Sequence, residues 1–436
     1  MSTTTRILLF LCIFCCIPFS AFAKHSDAIE WLDANTEFFH QKILANLSPA
    51  DGLPGAVIAA RKVEHEPDYH YHWVRDAGIT MIALNDRYQS LPDGHNKQQL
   101  RHAFFDYLDF SARIQNTNKL TDLGEPKFYV NGEAYFHPWG RPQNDGPALR
   151  AISLIHWANN LLAEGDEAIV RHRLYDAALP ATLPIKKDLE YLSHHWREPS
   201  FDIWEEVQGT HFYTLMVIRR ALLEGAILAR RLDDQGAAEW YHSQAKQVEL
   251  AIQSFWNEEK GYLTATINRV SGIDYKQSNL DSAVLLGLLH GGMDDGFLAW
   301  DNPKVIATLR KLRATFAALY PVNQDKTPGV AIGRYPEDRY GGNDFTGGNP
   351  WPLCTLAMAE ASYAYAALLQ RHQQPYASII HQANSDVKRA RHHAHPDGSM
   401  DEQIDRDSGE MKSARDLTWN YAALLTTHQR TLVFQQ

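Results

Sequence analysis

Helical spacing of apolar residues, repeated along the chain, is the feature that most constrains its fold. Within residues 212–231, Leu215, Ile218 and Leu222 recur every three to four residues, a spacing that predicts an amphipathic helix. An Asp-Asp-Gln-Gly stretch at 233–236 then predicts its end. The same spacing recurs at 237–255, 281–289, 303–319, 352–369 and 414–427. Since strand-like alternation is rare, we predict an all-α fold built from antiparallel helical hairpins.

The loops between these stretches are rich in Trp, Tyr, His, Gly and Pro, and we expect them to gather on one face. Threonine and aliphatic side chains alternate at Gly261–Asn268, which predicts a short β-hairpin. No Gly/Ser- or Pro/Thr-rich linker interrupts residues 24–436, so a single domain is predicted. Several loops place aromatic rings beside carboxylates. Rings stack on sugar faces while carboxylates and amides bond hydroxyls, so these loops favour a site for an uncharged polyol.

The first 23 residues have the order of a secretory signal peptide. Arg6 supplies positive charge, residues 7–17 are almost wholly apolar, and Ala21-Phe22-Ala23 is a small-x-small cleavage site. Three of the four cysteines lie in this segment, and Cys354 is interpreted as a buried structural thiol. A mature chain without an internal disulfide is ordinary for a bacterial exported protein. We therefore predict a periplasmic or secreted protein.

The formal net charge of −10 over 436 residues disfavours nucleic acid and membrane as partners. It also disfavours a polysaccharide lyase on a helical barrel, which would need a basic groove for uronates. The only clustered metal-ligating side chains are histidines without regular spacing, so no metal and no cofactor are predicted. These histidines are His194, His195, His392, His393 and His395.

Three carboxylates crowd together at Asp202, Glu205 and Glu206. Crowding of like charges raises at least one pKa, which keeps a carboxylic acid protonated and able to donate to a departing glycosidic oxygen. The alternative is an acidic helix start stabilised by the helix dipole. Glu402, taken alone, has the character of a solvated surface residue, and it becomes a base candidate only opposite the first cluster.

Several long blocks of sequence resemble glycoside hydrolase family 15, the glucoamylase family. The blocks are YHYHWVRD at 69–76, GEPKF at 124–128, PWGRPQNDGPALRA at 138–151, DIWEEVQGTHFYT at 202–214, GRYPED at 333–338 and 413–425. They fall in family order from about residue 54 to residue 430, so the resemblance covers nearly the whole mature chain. It implies an (α/α)6 barrel of twelve helices.

The resemblance also implies a role for each matching residue. Glu205 matches the general acid and Glu402 the general base. Tyr69 matches a tyrosine beside the reacting carbon, and Asp202 and Glu206 match carboxylates that support the acid. The remaining matches are Arg75, Asp76 and Arg334 as sugar-hydroxyl ligands, Trp139, Trp204 and Trp419 as aromatic walls, and Gln403 and Ser413 as partners of the base or its water.

These roles imply an exo-acting hydrolase that releases β-D-glucose from soluble starch-like α-1,4 and α-1,6 glucans with inversion. We expect it to be a monomer, although the sequence carries no signal of oligomeric state. Inversion requires roughly 6.5–9.5 Å between the two carboxyl groups. The chain leaves no space for an appended starch-binding module or an N-terminal β-sandwich, so soluble dextrins are the expected substrates.

Three departures from the family pattern put linkage and chain-length preference in doubt. His72 and His211 occupy positions where the family often has a small hydroxyl residue, and Gly341–Gly348 is longer than usual. We expect all three to line or flank the pocket. A preference for trehalose, isomaltose or dextran stays an alternative, as does a non-catalytic glucan-binding relative.

Overall fold

The computed structural model describes residues 26–435, so the predicted signal peptide at 1–23 lies outside the described residues. The helices are α1 (Asp27–Leu44), α2 (Val74–Ser90), α3 (His95–Asn116), α4 (Asp145–Glu164), α5 (Glu167–Ile169), α6 (Pro184–His195), α7 (Phe212–Arg231), α8 (Gln235–Ile252), α9 (Ser282–Gly291), α10 (Pro303–Leu319), α11 (Pro352–Arg371), α12 (Ala377–His393) and α13 (Thr418–Thr431). The strands are β1 (His72–Trp73), β2 (Lys127–Phe128), β3 (Ser200–Phe201), β4 (Val207–His211), β5 (Trp256–Asn257), β6 (Tyr262–Leu263), β7 (Thr266–Gly272), β8 (Gln403–Ile404) and β9 (Met411–Lys412).

Six helices close into an inner ring. Helix α2 packs on α4, α4 on α7, α7 on α9, α9 on α11, α11 on α13, and α13 returns to α2. These helices are buried on nearly every side, as in α11, where all residues of 352–361 are buried. A helix with so much buried surface is stable only when it is surrounded by other elements.

The other long helices form an outer layer, and each has one buried face. In α8 the buried residues Ala238, Tyr241, Ala245, Val248 and Ile252 follow the helical repeat. Along the chain the outer helices α1, α3, α6, α8, α10 and α12 alternate with the inner ones. Twelve helices in two concentric rings are an (α/α)6 barrel, which confirms the predicted all-α fold.

Helix bounds agree with the predicted periodic stretches except at the last one. The helix predicted at 414–427 begins at Thr418, because Asp416 has a positive φ of 53° and Leu417 has a non-helical ψ of 118°. The predicted hairpin at Gly261–Asn268 is wrong. Strand β6 pairs with β5, whereas β7 pairs with β4 in another sheet. Alternation identifies the buried face of a strand but not its partner.

The sequence places the functional loops at one end of the barrel. Because each inner helix is preceded by an antiparallel outer one, the inner helices share a direction and their N-termini lie together. Strand β1 runs directly into α2, β4 runs into α7, and Trp351 precedes α11. Cys354, in α11, is fully buried and free, as predicted. Within the described part of the chain, no helix has the length and apolarity needed to cross a membrane.

Candidate active site

A cavity of about 350 Å³ lies at the N-terminal end of the inner ring. Ten residues predicted to form the site line it, namely Tyr69, Arg75, Asp76, Trp139, Trp204, Glu205, Glu206, Arg334, Glu402 and Trp419. They come from segments more than 300 residues apart in the sequence. The barrel therefore gathers aromatic rings, cations and carboxylates around a space that suits a small polar ligand.

Glu205 lies in the tight turn between β3 and β4 and not in a helix, so the alternative of an acidic helix start is wrong. Its φ of 67° is in the left-handed region, which is uncommon for a residue with a side chain. Asp202 fixes this turn, because its Oδ1 accepts hydrogen bonds from the backbone N–H groups of Glu206 at 2.7 Å and Val207 at 3.0 Å. The strained turn aims Glu205 into the cavity.

One carboxylate oxygen of Glu205 is surrounded by donors. Oε1 accepts hydrogen bonds from Trp73 Nε1 at 2.9 Å, Gln143 Nε2 at 3.1 Å and Arg75 Nη2 at 3.2 Å. Oε2 has no hydrogen-bond partner among residues 26–435. A proton on this carboxyl group therefore belongs on Oε2. Gly140 makes the close approach possible, since a Cβ there would lie 2.9 Å from the backbone oxygen of Glu205.

Glu402 is 1% exposed and has donors on both oxygens. Oε1 accepts from the hydroxyl of Tyr69 at 2.8 Å, and Oε2 accepts from Gln403 Nε2 at 3.1 Å and from Ser413 Oγ. Ser413 comes into reach because β8 and β9 pair, with Gln403 opposite Lys412. Burial raises the pKa of Glu402, although the hydrogen bonds from Ser413 and Tyr69 oppose the shift.

Arg75 and Asp76 open helix α2 and form part of the cavity wall. Arg75 Nη1 donates to Gln143 Oε1 at 2.8 Å and to Asp145 Oδ2 at 3.3 Å. Its Nε lies 3.6 Å from Asp76 Oδ2. Burial raises the pKa of Asp76 to about 6, and the charges of Glu205 and Asp145 add to the rise while Arg75 opposes it. Positive and negative groups thus alternate along this wall.

Arg334 forms the opposite charged wall. Its Nε donates to Asp338 Oδ2 at 2.8 Å, and its Nη2 donates to Asp338 Oδ1 at 2.6 Å and Glu206 Oε1 at 2.9 Å. Tyr335 donates to the other oxygen of Glu206 at 2.7 Å. Burial raises the pKa of Glu206 despite the nearby arginine. Burial is the main cause of this shift, and the charge of Asp202 adds only a smaller rise, so crowding of like charges is not its principal source.

Behind the cavity, a buried network holds Trp204 in place. Its Nε1 donates to Asp281 Oδ1 at 2.9 Å, and Asp281 also caps helix α9. Lys276 pairs with Asp281 and with Asp202, whose Oδ2 is 3.3 Å from Nζ. Burial favours the protonated form of Asp202, but Lys276, His211 and the two backbone hydrogen bonds together outweigh it, and the pKa of Asp202 is lowered. Asp202 is thus an ionised support.

Four residues predicted at or beside the pocket lie away from its surface. Asp202 and Gln403, predicted as site residues that support the acid and the base, do not line the cavity. Asp202 holds the turn and Gln403 bonds Glu402. His72 is buried, packs on Phe110 and accepts a hydrogen bond from the backbone N–H of Val57. His211 is also buried and bonds Ser200 O at 2.8 Å. Both histidines are therefore core residues.

The structure adds aromatic residues that the sequence argument did not single out. Trp73, Tyr340 and Trp351 line the cavity, and Tyr340 places its hydroxyl 2.7 Å from that of Tyr69. Trp73 lies inside the YHYHWVRD block, which was the one available signal. Within residues 26–435, no group of three or more His, Cys, Asp or Glu side chains is arranged to hold a metal ion.

The fold and the site together define a class, namely helical-barrel proteins with a sugar-sized cavity walled by aromatic rings and paired carboxylates. The chain matches the family described as Glycosyl hydrolases family 15 over residues 35–429. A Blastobotrys adeninivorans protein named glucoamylase is 35% identical over 94% of this chain and 73% of its own length. A Schizosaccharomyces pombe protein named probable glucoamylase is 34% identical over 94% of this chain and 93% of its own.

A solved structure of similar fold is the glucoamylase of Saccharomycopsis fibuligera. It aligns with a TM-score of 0.82 at 29% identity, over 94% of this chain and 96% of that chain. This chain therefore belongs to glycosyl hydrolase family 15, and it is a glycoside hydrolase.

Proposed function

We propose that this protein is an exo-acting, inverting hydrolase that releases β-D-glucose from the non-reducing ends of soluble starch-like α-1,4 and α-1,6 glucans. One observation carries the proposal, namely the contrasting surroundings of two carboxyl groups in one cavity. Glu205 has donors on one oxygen only, whereas Glu402 has donors on both. Two carboxyl groups with different environments are what acid and base roles require.

Glu205 acts as the general acid. Since three donors occupy Oε1, its proton is carried on Oε2 and passes to the glycosidic oxygen as that bond breaks. When the proton has left, the same three donors stabilise the carboxylate that remains. The interactions of Trp73, Gln143 and Arg75 with Glu205 are therefore strongest after proton transfer, which lowers the barrier.

Glu402 acts as the general base on a water molecule at the opposite face of the sugar ring. Its three donors hold the carboxylate in a fixed orientation, and its raised pKa makes it a better proton acceptor than an exposed glutamate. Direct attack by this water inverts the anomeric centre, so an α-linkage gives a β-product. Positive charge on the anomeric carbon is stabilised by nearby carboxylates and by the Tyr69 oxygen.

The charged walls select the terminal sugar. Arg75, Asp76 and Arg334 face the cavity with donors and acceptors for hydroxyl groups, while Trp139 and Trp204 offer ring faces for stacking. Relatives named glucoamylase support an α-glucan as the substrate. We further propose a single catalytic domain at 24–436 that works as an exported monomer, after removal of residues 1–23.

The test compares Glu205→Gln and Glu402→Gln on maltose and on α-glucosyl fluoride. Both variants should lose about 10²–10⁴-fold in kcat on maltose. Fluoride leaves without full protonation, so Glu205→Gln should keep much of its activity on the fluoride, whereas Glu402→Gln should not. Glu239→Gln, on the exposed face of α8, is the matched control.

Product and substrate measurements complete the test. Polarimetry or NMR of fresh product should show β-glucose first, and an α-anomer would overturn inversion. Rates on maltose, maltooligosaccharides, isomaltose, dextran and trehalose should rank the soluble α-1,4 chains first. Wild-type activity of either glutamine variant on maltose would overturn the acid and base assignments.

A further inference from the structure

A lysine ammonium group lies inside an aromatic cage next to the cavity. Lys127, on strand β2, is 3% exposed. Its Nζ is 3.9 Å from the ring centroids of Tyr71 and Trp139, 4.2 Å from Tyr135 and 4.3 Å from Trp73. We call these four rings the aromatic cage. Ring faces attract cations, and four contacts at such short distances make this an unusually complete site.

The caged cation has no carboxylate of its own. Among residues 26–435, no carboxylate oxygen lies within 4.0 Å of Lys127 Nζ, unlike the equally buried Lys186, which pairs with Asp234. Burial lowers the pKa of Lys127 to about 8, so the group stays protonated at neutral and acidic pH. Glu205 and Asp68 are the carboxylates whose charges favour this cation. A buried, unpaired charge is costly, and this fold keeps one beside the cavity.

The aromatic cage connects directly to the cavity. Trp73 and Trp139 both line the cavity and both contact the Lys127 ammonium group. Trp73 also donates its Nε1 proton to Glu205 Oε1 at 2.9 Å. Lys127 itself does not line the cavity. Its influence on the reaction must therefore pass through the two tryptophans and through its charge.

We propose that Lys127 is a positioning residue for hydrolysis, whose caged charge holds the Trp73 and Trp139 walls and favours negative charge on Glu205 as the proton leaves. The inference rests on the proposed acid role of Glu205. Before proton transfer the acid is neutral and interacts weakly with a cation. Afterwards it is a carboxylate, so the interaction is realised mainly in the transition state. The low-dielectric surroundings strengthen it relative to water.

Other charged groups also face Glu205 and Lys127, and their charges contribute to any pH dependence that is measured. Around Glu205 they are Arg75, Asp76, Asp145 and Lys127, and around Lys127 they are Glu205, Asp68 and Arg141. Arg75 remains in place when Lys127 is changed. The expected effect is therefore partial, and it should not abolish activity.

The experiment compares Lys127→Met, which keeps the stem and removes the charge, with Lys127→Arg, which keeps the charge. Lys127→Met should lower kcat on maltotriose by about tenfold while KM changes less than about threefold. The basic limb of its kcat–pH profile should move to higher pH, because a proton on Glu205 leaves less readily without the cation. Lys127→Arg should restore most of kcat and the wild-type limb.

Controls separate this role from a purely structural one. Lys186→Met removes another buried lysine, which lies 5.6 Å from the Tyr175 ring, and should lower stability without moving the pH profile. Lys127→Gln replaces the methionine variant if that protein does not fold. A folded neutral variant with a wild-type kcat and basic limb would overturn the inference, and so would a change confined to KM. If Lys127 proved unimportant in this way but Glu205→Gln still lost activity, the proposed function would stand and only the inference about Lys127 would fail.

Discussion

The hydroxyl of Tyr69 donates a hydrogen bond of 2.8 Å to Oε1 of Glu402. A hydroxyl has only one proton to donate, so the 2.7 Å contact with Tyr340 must use a proton from Tyr340. The two tyrosines thus form a short relay that ends on the proposed base. Burial raises the pKa of Glu402, and the Tyr69 hydrogen bond limits the rise.

Tyr69→Phe should therefore lower kcat about tenfold or more, because Glu402 loses a donor that orients it and the anomeric carbon loses the oxygen proposed to stabilise its positive charge. Without this donor the pKa of Glu402 rises further, so the acidic limb of the kcat–pH profile should move to higher pH. Tyr340→Phe keeps the direct bond to Glu402 and should shift the limb less. Equal shifts in the two variants would contradict the order of the relay.

Replacing the buried Asp76 should increase stability and decrease activity. Burial raises its folded pKa to about 6, above the ordinary value of 3.8. Its contribution to stability is thus fully present below about pH 4 and is lost as the pH rises through 6. Asp76→Asn removes this titration. Relative to wild type, the variant should gain up to about 3 kcal/mol of unfolding free energy between pH 4 and pH 7, while activity falls.

Asp234→Asn provides a control with the opposite sign. Burial favours the protonated form of Asp234, but hydrogen bonds from Lys186 and Tyr175 outweigh it and the pKa is lowered. Its stabilising contribution is present above the unfolded pKa and is lost as the pH falls, so this variant should lose more stability at pH 7 than at pH 3. Urea unfolding at several pH values measures both. The same pH trend in the two variants would contradict the Asp76 prediction.

Asp281 supports the cavity from behind, and its removal should be costly. Oδ1 accepts from the backbone of Ala283 at 2.7 Å and from Trp204, while Oδ2 pairs with the buried Lys276. Asp281→Ala leaves Lys276 with Asp202 alone and should destabilise the fold by about 3–5 kcal/mol. Thermal or urea unfolding at pH 7 measures the loss.

Loss of a helix cap accounts for only part of that cost. Asn302 caps α10 by accepting from the backbone N–H of Lys304 at 2.9 Å, and it has no buried ion pair. Asn302→Ala should cost about 1 kcal/mol, the ordinary value of an N-cap. If Asp281→Ala costs no more than Asn302→Ala, the buried network contributes nothing measurable.

Periodicity was sufficient for the helices but not for the site. Helices α7 and α8 appear where apolar spacing predicts them, because their buried faces repeat along one segment. The turn that carries Glu205 has no such signal. Residues 203–206 are Ile-Trp-Glu-Glu, without the Gly, Asn or Pro that marks most tight turns. Local hydrogen bonds to Asp202 hold the turn in which Glu205 has its positive φ.

The cavity residues Trp73 and Tyr340 and the buried Lys127 were the hardest to predict. Trp73 and Tyr340 are ordinary core aromatics on composition alone, and Lys127 is of a type that is almost always solvated. Their roles depend on neighbours distant in sequence, such as Glu205 for Trp73. The family blocks contain Trp73 and Lys127, but a sequence match does not show which residues their side chains contact.

Phe345 leads to a prediction about chain length. It is 73% exposed within Gly341–Gly348, and its ring centroid lies 6.1 Å from that of Tyr340, which lines the cavity. Gly342 in this loop packs against Ser413, since a Cβ there would lie 2.7 Å from its Oγ. The loop therefore places an exposed ring close to a cavity wall, where the second or later sugars of a chain would pass.

Phe345→Ala should leave kcat/KM on maltose within about twofold of wild type, because we expect a chain of two sugars to end inside the cavity. On maltopentaose kcat/KM should fall about 3–10-fold, since an aromatic contact contributes about 0.5–1.5 kcal/mol. Leu179→Ala removes a side chain that is equally exposed, at 72%, and that does not line the cavity, so it should change neither value. Maltose has no outer sugars, so a loss of stacking on those sugars cannot lower its kcat/KM. An equal loss on both substrates would therefore mean that Phe345 supports Tyr340 or Ser413 and does not bind the chain.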